Sequence, residues 1–298
     1  MTTEHRILLL GSNGQLGWVL KQTLTEFGDV TACGREECDL ANVDTIRSVV
    51  RSLKPTIIVN AGAYTAVDKA ETEKELAYAV NATAPGVLAE EAKALGARLI
   101  HFSTDYVYDG RKDGFYVETD ATEPLSVYGR TKLAGDQAIE QVGGKYQIFR
   151  TSWVFGAHGR NFAKTILNLA ATKRELKIIA DQYGVPTSVN LLSDITLSIL
   201  ETDDAPSGVY HAVPAGETTW HGYAQFLVSE AEKAGMPLQA LPDDVKPIAT
   251  HEYPLLAVRP QNSRMDTKKL CTTFGLTMPD WREDVSELVQ NLSQQAAA

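Results

Sequence analysis

Short apolar runs alternate along the chain with longer stretches in which apolar residues recur every three or four positions. The runs Ile7–Leu10, Asp29–Cys33, Thr56–Asn60, Arg98–Ser103 and Tyr146–Thr151 are short, bounded and mostly rich in β-branched residues, and each predicts a strand. Between them, Gly14–Phe27, Val43–Leu53, Ala84–Leu95 and Ser126–Val142 predict helices, with Asn42 and Pro124 near two of the starts. That alternation is how a parallel sheet with crossover helices reads in sequence, so the first half is a series of βαβ units. After Trp153 the pattern loosens. Helices are expected near Phe162–Ala171 and Leu191–Leu200 and a strand at Val209–Ala212, while prolines from Pro186 to Pro260 punctuate a lobe of short elements. Gln294–Ala298 reads as a frayed tail.

The resulting fold class is α/β: a doubly wound parallel sheet of the Rossmann type with a smaller α/β C-terminal substrate-binding lobe. Residues 1–156 would form the dinucleotide-binding part, with about 186–212 returning to it, and about 157–185 and 213–298 the lobe.

Composition narrows the function. The 298 residues are 44% hydrophobic and 22% charged, ordinary for a globular chain that buries a core. No apolar run approaches the roughly 18 residues of a membrane-spanning helix, so no membrane association is expected. The start, Met1–Arg6, leads at once into four apolar residues and Gly11, too short for a secretory signal, which places the protein in the cytoplasm. Cys33, Cys38 and Cys271 form no CxxC pair and suggest neither a disulfide framework nor a zinc site. A net charge of -10 without a basic stripe argues against a nucleic-acid partner, yet a few positioned cations and helix N-termini suffice for a small anion.

Two constellations carry chemistry. Gly11-Ser12-Asn13-Gly14-Gln15-Leu16-Gly17 follows the first strand and opens a helix. Glycines there permit a tight turn, close approach of backbone to a pyrophosphate, and close helix-to-strand packing, while the helix N-terminus offers N–H donors: a dinucleotide site. The acidic residue that usually binds a ribose hydroxyl is missing after the second strand. Arg35 stands in its place and suits a 2′-phosphate, so NADPH is expected over NADH, with Asp39 and Leu40 near the adenine and Ala61, Gly62 and Ala63 where backbone meets cofactor. The second constellation is Tyr128 and Lys132, four apart on one helix face, about 6 Å along the axis. Thr104 ends the fourth strand, on the sheet edge where such folds bind ligands. A phenol beside an ammonium is expected to lose its proton more readily; Tyr128 would protonate a carbonyl oxygen as hydride arrives at its carbon, Thr104 would hold that oxygen, and Lys132 would also anchor the nicotinamide ribose.

These residues resemble the extended short-chain dehydrogenases and, within them, the dTDP-4-dehydrorhamnose reductases. The resemblance covers essentially the whole chain. It is carried by Gly11–Gly17, Tyr64–Glu71 after Asn60-Ala61, Ser103–Tyr108, Tyr128–Gly135, Arg150–Val154, Asp181–Gly184 and Arg259–Ser263. It implies NAD(P)H-dependent reduction of the C4 ketone of dTDP-6-deoxy-L-lyxo-4-hexulose to dTDP-L-rhamnose, with Thr104, Tyr128 and Lys132 catalytic. Gly11, Gln15, Leu16, Asp39, Leu40, Ala61, Ala63, Tyr64 and Thr65 would line the cofactor, and Thr104, Asp105 and Trp153 the sugar. Trp153 also reads as a core aromatic. Arg259 is a candidate for the nucleotide diphosphate or for a salt bridge stapling the lobe. The resemblance admits a homodimer. Some family members are described as bridged by magnesium through acidic side chains; here Asn190 and Leu292 stand in the corresponding segments and no metal is expected. Competing readings are another dTDP-4-keto-deoxysugar reductase, a 4-epimerase, or a non-catalytic regulatory subunit like that of methionine adenosyltransferase. A dehydratase would carry Asp-Glu after the threonine, where this chain has Asp105-Tyr106.

Overall fold

A computed structural model describes residues 5–297. Six strands form one parallel sheet: β1 (His5–Leu10), β2 (Gly28–Cys33), β3 (Ile57–Asn60), β4 (Arg98–Thr104), β5 (Lys145–Thr151) and β6 (Gly208–His211). Their spatial order is β6-β5-β4-β3-β1-β2. The chain moves one way from β1 to β2 and the other way to β3, so the switch point lies between β1 and β3, and a ligand crevice is expected beyond the strand ends there.

The strands read as continuous apolar runs because both faces are covered. Ile7 and Leu9 pack with α1 (Gln15–Thr23) and, from much later in the chain, the helix Val189–Glu201. Leu8 and Leu10 face the opposite layer of α2 (Val43–Leu53), α3 (Ala84–Leu95) and α4 (Val127–Val142). Asn42 caps α2 as its position suggests, accepting from the N–H groups of Asp44 and Thr45.

The later helix Val189–Glu201 is α6, and a third core gathers α5 (Phe162–Thr172), α7 (Trp220–Lys233) and α8 (Trp281–Ala297) around Tyr223, Leu227 and Val285. Paired strands of two to four residues stitch this region, such as Leu176–Ile179 with Val245–Ile248. The tail expected to fray at Gln294 is instead the end of α8, whose Val285, Leu288 and Val289 are buried and whose closing Gln and Ala residues favour helix. Ala298 lies outside the described residues. No described helix is long and apolar enough to cross a membrane.

Candidate active site

A cleft of about 770 Å³ opens at the switch point. Its floor is the turn after β1. Gly11 takes φ +77°, and a Cβ there would stand 2.5 Å from the Gly62 nitrogen. Only glycine fits both demands. The Gly11 and Ser12 N–H groups donate to the Cys33 carbonyl at 3.0 and 3.1 Å, tying the turn to the end of β2. Gly14, which caps α1, offers no side chain to the first-turn N–H groups, and no acidic residue occupies that turn. Those donors are therefore available to an anion.

Around this floor the cleft is lined by Asn13, Gly14, Gln15, Leu16, Arg35, Asp39, Leu40, Ala61, Gly62, Ala63, Tyr64 and Thr65, and at its inner end by Tyr128 and Lys132. Gly17 does not line it. A Cβ on Gly17 would meet the Gly11 carbonyl oxygen at 2.1 Å, so this glycine lets α1 sit down on the turn. Arg35 is exposed, its guanidinium loosely paired with Asp39 at 3.9 Å. No motif or spacing marks the segment beside the mouth: His158 stacks on Trp18 at 4.3 Å, Asn161 donates to the Gln15 side chain at 2.8 Å, and Arg160 joins the lining.

Two further glycines, visible in the sequence only as spacing, place the inner end. Added Cβ atoms at Gly129 and Gly135 would lie 2.2 Å from the Tyr106 carbonyl oxygen and 2.1 Å from that of Asn81. Their absence lets α4 press against both backbones and brings Tyr128 to the end of β4. There Tyr128 comes close to the Thr104 hydroxyl, whose influence favours the phenolate, and the Tyr106 ring meets Tyr128 edge-on at 5.4 Å. The Thr104 hydroxyl donates to Asp105 at 2.9 Å and accepts from the Tyr106 N–H at 3.2 Å. Asp105 is buried beneath the threonine, and desolvation pushes its carboxyl up to about 6 against the opposing pull of the Ser263 and Thr104 hydroxyls.

Lys132 is 1% exposed, one turn further along α4. Its Nζ donates to the Phe102 carbonyl at 2.6 Å and lies 3.3 Å from His101 Nε2. Desolvation brings its proton affinity down to about 8, while the Asp136 carboxylate pulls the other way. Tyr128 behaves opposite to expectation: burial pushes its hydroxyl above the ordinary tyrosine range. The ammonium is aimed at Phe102 and His101, so the desolvation of the phenol wins. Below the lysine, buried Asp136 accepts from Ser103 at 2.9 Å and from Arg150 at 3.2 Å, and Arg150 also donates to Tyr108 at 2.9 Å.

The remaining expected residues lie outside the cleft lining. Trp153 adopts φ +47° and stacks on Trp220 at 3.7 Å, with Gly184 under its ring, as part of the lobe's aromatic cluster. Arg259 makes the stapling contact, donating to both Asp68 carboxylate oxygens at 3.1 and 2.7 Å. Among the described residues no cluster of three or more His, Cys, Asp or Glu side chains could hold a metal ion.

Comparison with known proteins points to one family. A family model described as the RmlD substrate binding domain matches residues 5–294. Over 297 residues the chain is 44% identical to the dTDP-4-dehydrorhamnose reductase of Escherichia coli (strain K12), covering 96% of this chain and 97% of that one. It is 43% identical to the corresponding protein of Burkholderia thailandensis, covering 97% and 100%. The crystal structure of the Bacillus anthracis dTDP-4-dehydrorhamnose reductase in complex with NADP is similar with a TM-score of 0.89 at 33% identity, covering 96% and 99% of the two chains. With Tyr128 and Lys132 lining a glycine-floored cleft and residues 5–294 matched by the family model, this chain belongs to the dTDP-4-dehydrorhamnose reductase family.

Proposed function

We propose that this protein reduces the C4 ketone of dTDP-4-dehydro-L-rhamnose to dTDP-L-rhamnose. The observation that carries the reading is Tyr128 beside the Thr104 hydroxyl, with Lys132 one turn away, at a cleft whose floor fits a dinucleotide diphosphate. The bound nicotinamide cofactor supplies hydride. Tyr128 donates its proton to the ketone oxygen and Thr104 holds that oxygen in place. Lys132 anchors the nicotinamide ribose. The free N–H groups at the start of α1 take the diphosphate, and Asn13, Gln15, Leu16, Ala61, Ala63, Tyr64 and Thr65 form the walls. Arg35 meets a 2′-phosphate, which makes NADPH the preferred cofactor and leaves NADH usable.

Residues 1–156, with about 186–212, hold the dinucleotide; about 157–185 and 213–298 supply the sugar-nucleotide side. Asp105 supports the sugar site through Thr104, and Arg259 faces the same end beside Tyr106. A homodimer is an assembly the resemblance admits, and sedimentation equilibrium reads it directly. A regulatory subunit needs no proton donor, whereas this chain keeps one intact.

The test follows NADPH absorbance on addition of the dTDP-4-keto sugar made by a dehydratase and an epimerase. Oxidation by the wild type and a loss of at least about a thousandfold in Tyr128→Phe, with cofactor affinity retained, is the expected result. Wild-type protein that binds NADPH but leaves this substrate untouched would remove the assignment.

A further inference from the structure

The site contains a buried pair that the reduction chemistry above does not use. Asn60 ends β3 and His101 lies opposite it on β4, in register, and the two are 1% and 0% exposed. We propose that Asn60 and His101 are positioning residues that turn a hydrogen-bond donor toward the Lys132 amine, holding the lysine between amine and ammonium instead of fixed as an ammonium.

The argument follows the direction of each hydrogen bond. The Gly62 backbone N–H can only donate, and it donates to Asn60 Oδ1 at 3.2 Å. That contact orients the amide, so the Asn60 NH₂ faces His101 Nδ1, 3.1 Å away. Nδ1 must then accept, and a neutral imidazole carries its one proton on Nε2. Nε2 points at Lys132 Nζ, 3.3 Å away. An ammonium has three donors and no lone pair, whereas an amine has one. The N–H of His101 is therefore matched by the amine and opposed by the ammonium. The polarity of one backbone N–H has passed through two side chains to the lysine.

Escape routes are closed. An imidazolium would set an Nδ1–H against the Asn60 NH₂, and burial and the neighbouring lysine already hold His101 well below its ordinary value. The Phe102 carbonyl accepts from Nζ in either protonation state. Of the other charged and titratable groups around the amine, Asp136 on α4 favours the ammonium, and its Oδ1 has no hydrogen-bond partner. Arg150 on β5 is paired with that carboxylate, with Tyr108 and His211 behind it. Tyr128 shares the helix, Asp105 lies beyond it under Thr104, and Lys69 and Glu73 line the outer cleft. A lysine poised in this way can exchange a proton with the cleft between turnovers; this consequence rests on the proposed reduction.

The test uses the full chain labelled with ¹⁵N-histidine. Long-range ¹H–¹⁵N correlation, with His101 identified by its absence in His101→Asn, is expected to show protonated Nε2 and bare Nδ1 from pH 6 to 9. A protonated Nδ1 would overturn the proposal without any measurement of activity. In Asn60→Asp the carboxylate accepts from both Gly62 and His101, the tautomer inverts, and Nε2 accepts from an ammonium. The basic limb of kcat/KM against pH should then rise by at least one pH unit, a tenfold gain in proton affinity. An inverted tautomer with an unmoved limb would also overturn the proposal. Failure of the reductase reading itself shows differently, as wild-type protein that leaves the keto sugar untouched while the tautomer remains as argued.

Discussion

Asp136→Asn is the most exacting perturbation of the site's foundations. Asp136 is 0% and Arg150 4% exposed, and they are linked at 3.2 Å. Asparagine keeps the shape and still accepts from Ser103 and Arg150 through its oxygen, so what is lost is the charge. A buried arginine without its counter-ion typically costs ~3–5 kcal/mol. Here the Tyr108 hydroxyl still accepts from Arg150 and the Tyr108 ring lies 5.3 Å below the guanidinium, contacts that soften the loss toward about 3 kcal/mol. Urea unfolding should show a lower midpoint at unchanged slope. Thermal unfolding should fall by roughly 2 °C for each kcal/mol in a chain of this size. The variant also removes the charge that favours the Lys132 ammonium, so the lysine should lose its proton at a lower pH than in the wild type. A stability loss below about 1 kcal/mol would refute the reasoning, because it would mean that Arg150 carries its charge in this interior without needing a counter-ion.

Gly17→Ala forces a Cβ to 2.1 Å from the Gly11 carbonyl oxygen, which is backbone and cannot swing away; stability should fall by about 1–3 kcal/mol and NADPH affinity, read by fluorescence titration, with it. For Asp105, whose carboxyl is raised from 3.8 to about 6, the folded chain binds the proton more tightly than the unfolded one. Stability present at low pH is therefore lost as pH rises from about 4 through about 6, by on the order of 2–3 kcal/mol. Urea midpoints for Asp105→Asn, compared with wild type across that window, should lack this slope, and a slope identical in both would exclude Asp105 as its source. Arg35→Ala should raise KM for NADPH by at least about tenfold and leave KM for NADH within about twofold; equal effects on both cofactors would separate Arg35 from the 2′-phosphate.

What the sequence made legible and what it hid divide along a physical line. The sheet and its turn were readable because their causes are local: a strand buried on both faces is apolar along most of its length, and a turn at φ +77° against another backbone needs Gly11. The lobe was readable only in outline, since paired strands of two residues, such as Val154-Phe155 with Thr187-Ser188, are too short to carry a period. Partners across the fold were hidden altogether. Asn60 meets His101 through strand register, 41 residues away, and Arg259 meets Asp68 across 191. Most instructive is the sign of the tyrosine shift. A four-residue spacing places Lys132 on the face of Tyr128, but proximity along a helix does not say where an ammonium points or how dry the phenol is. Desolvation acts on every buried ionisable group, whereas the Coulombic benefit depends on a particular orientation, and the lysine is oriented toward Phe102 and His101. The identities of the proton-handling residues could therefore be read from the chain, while their protonation states depend on hydrogen-bond directions set by the packing of β3, β4 and α4.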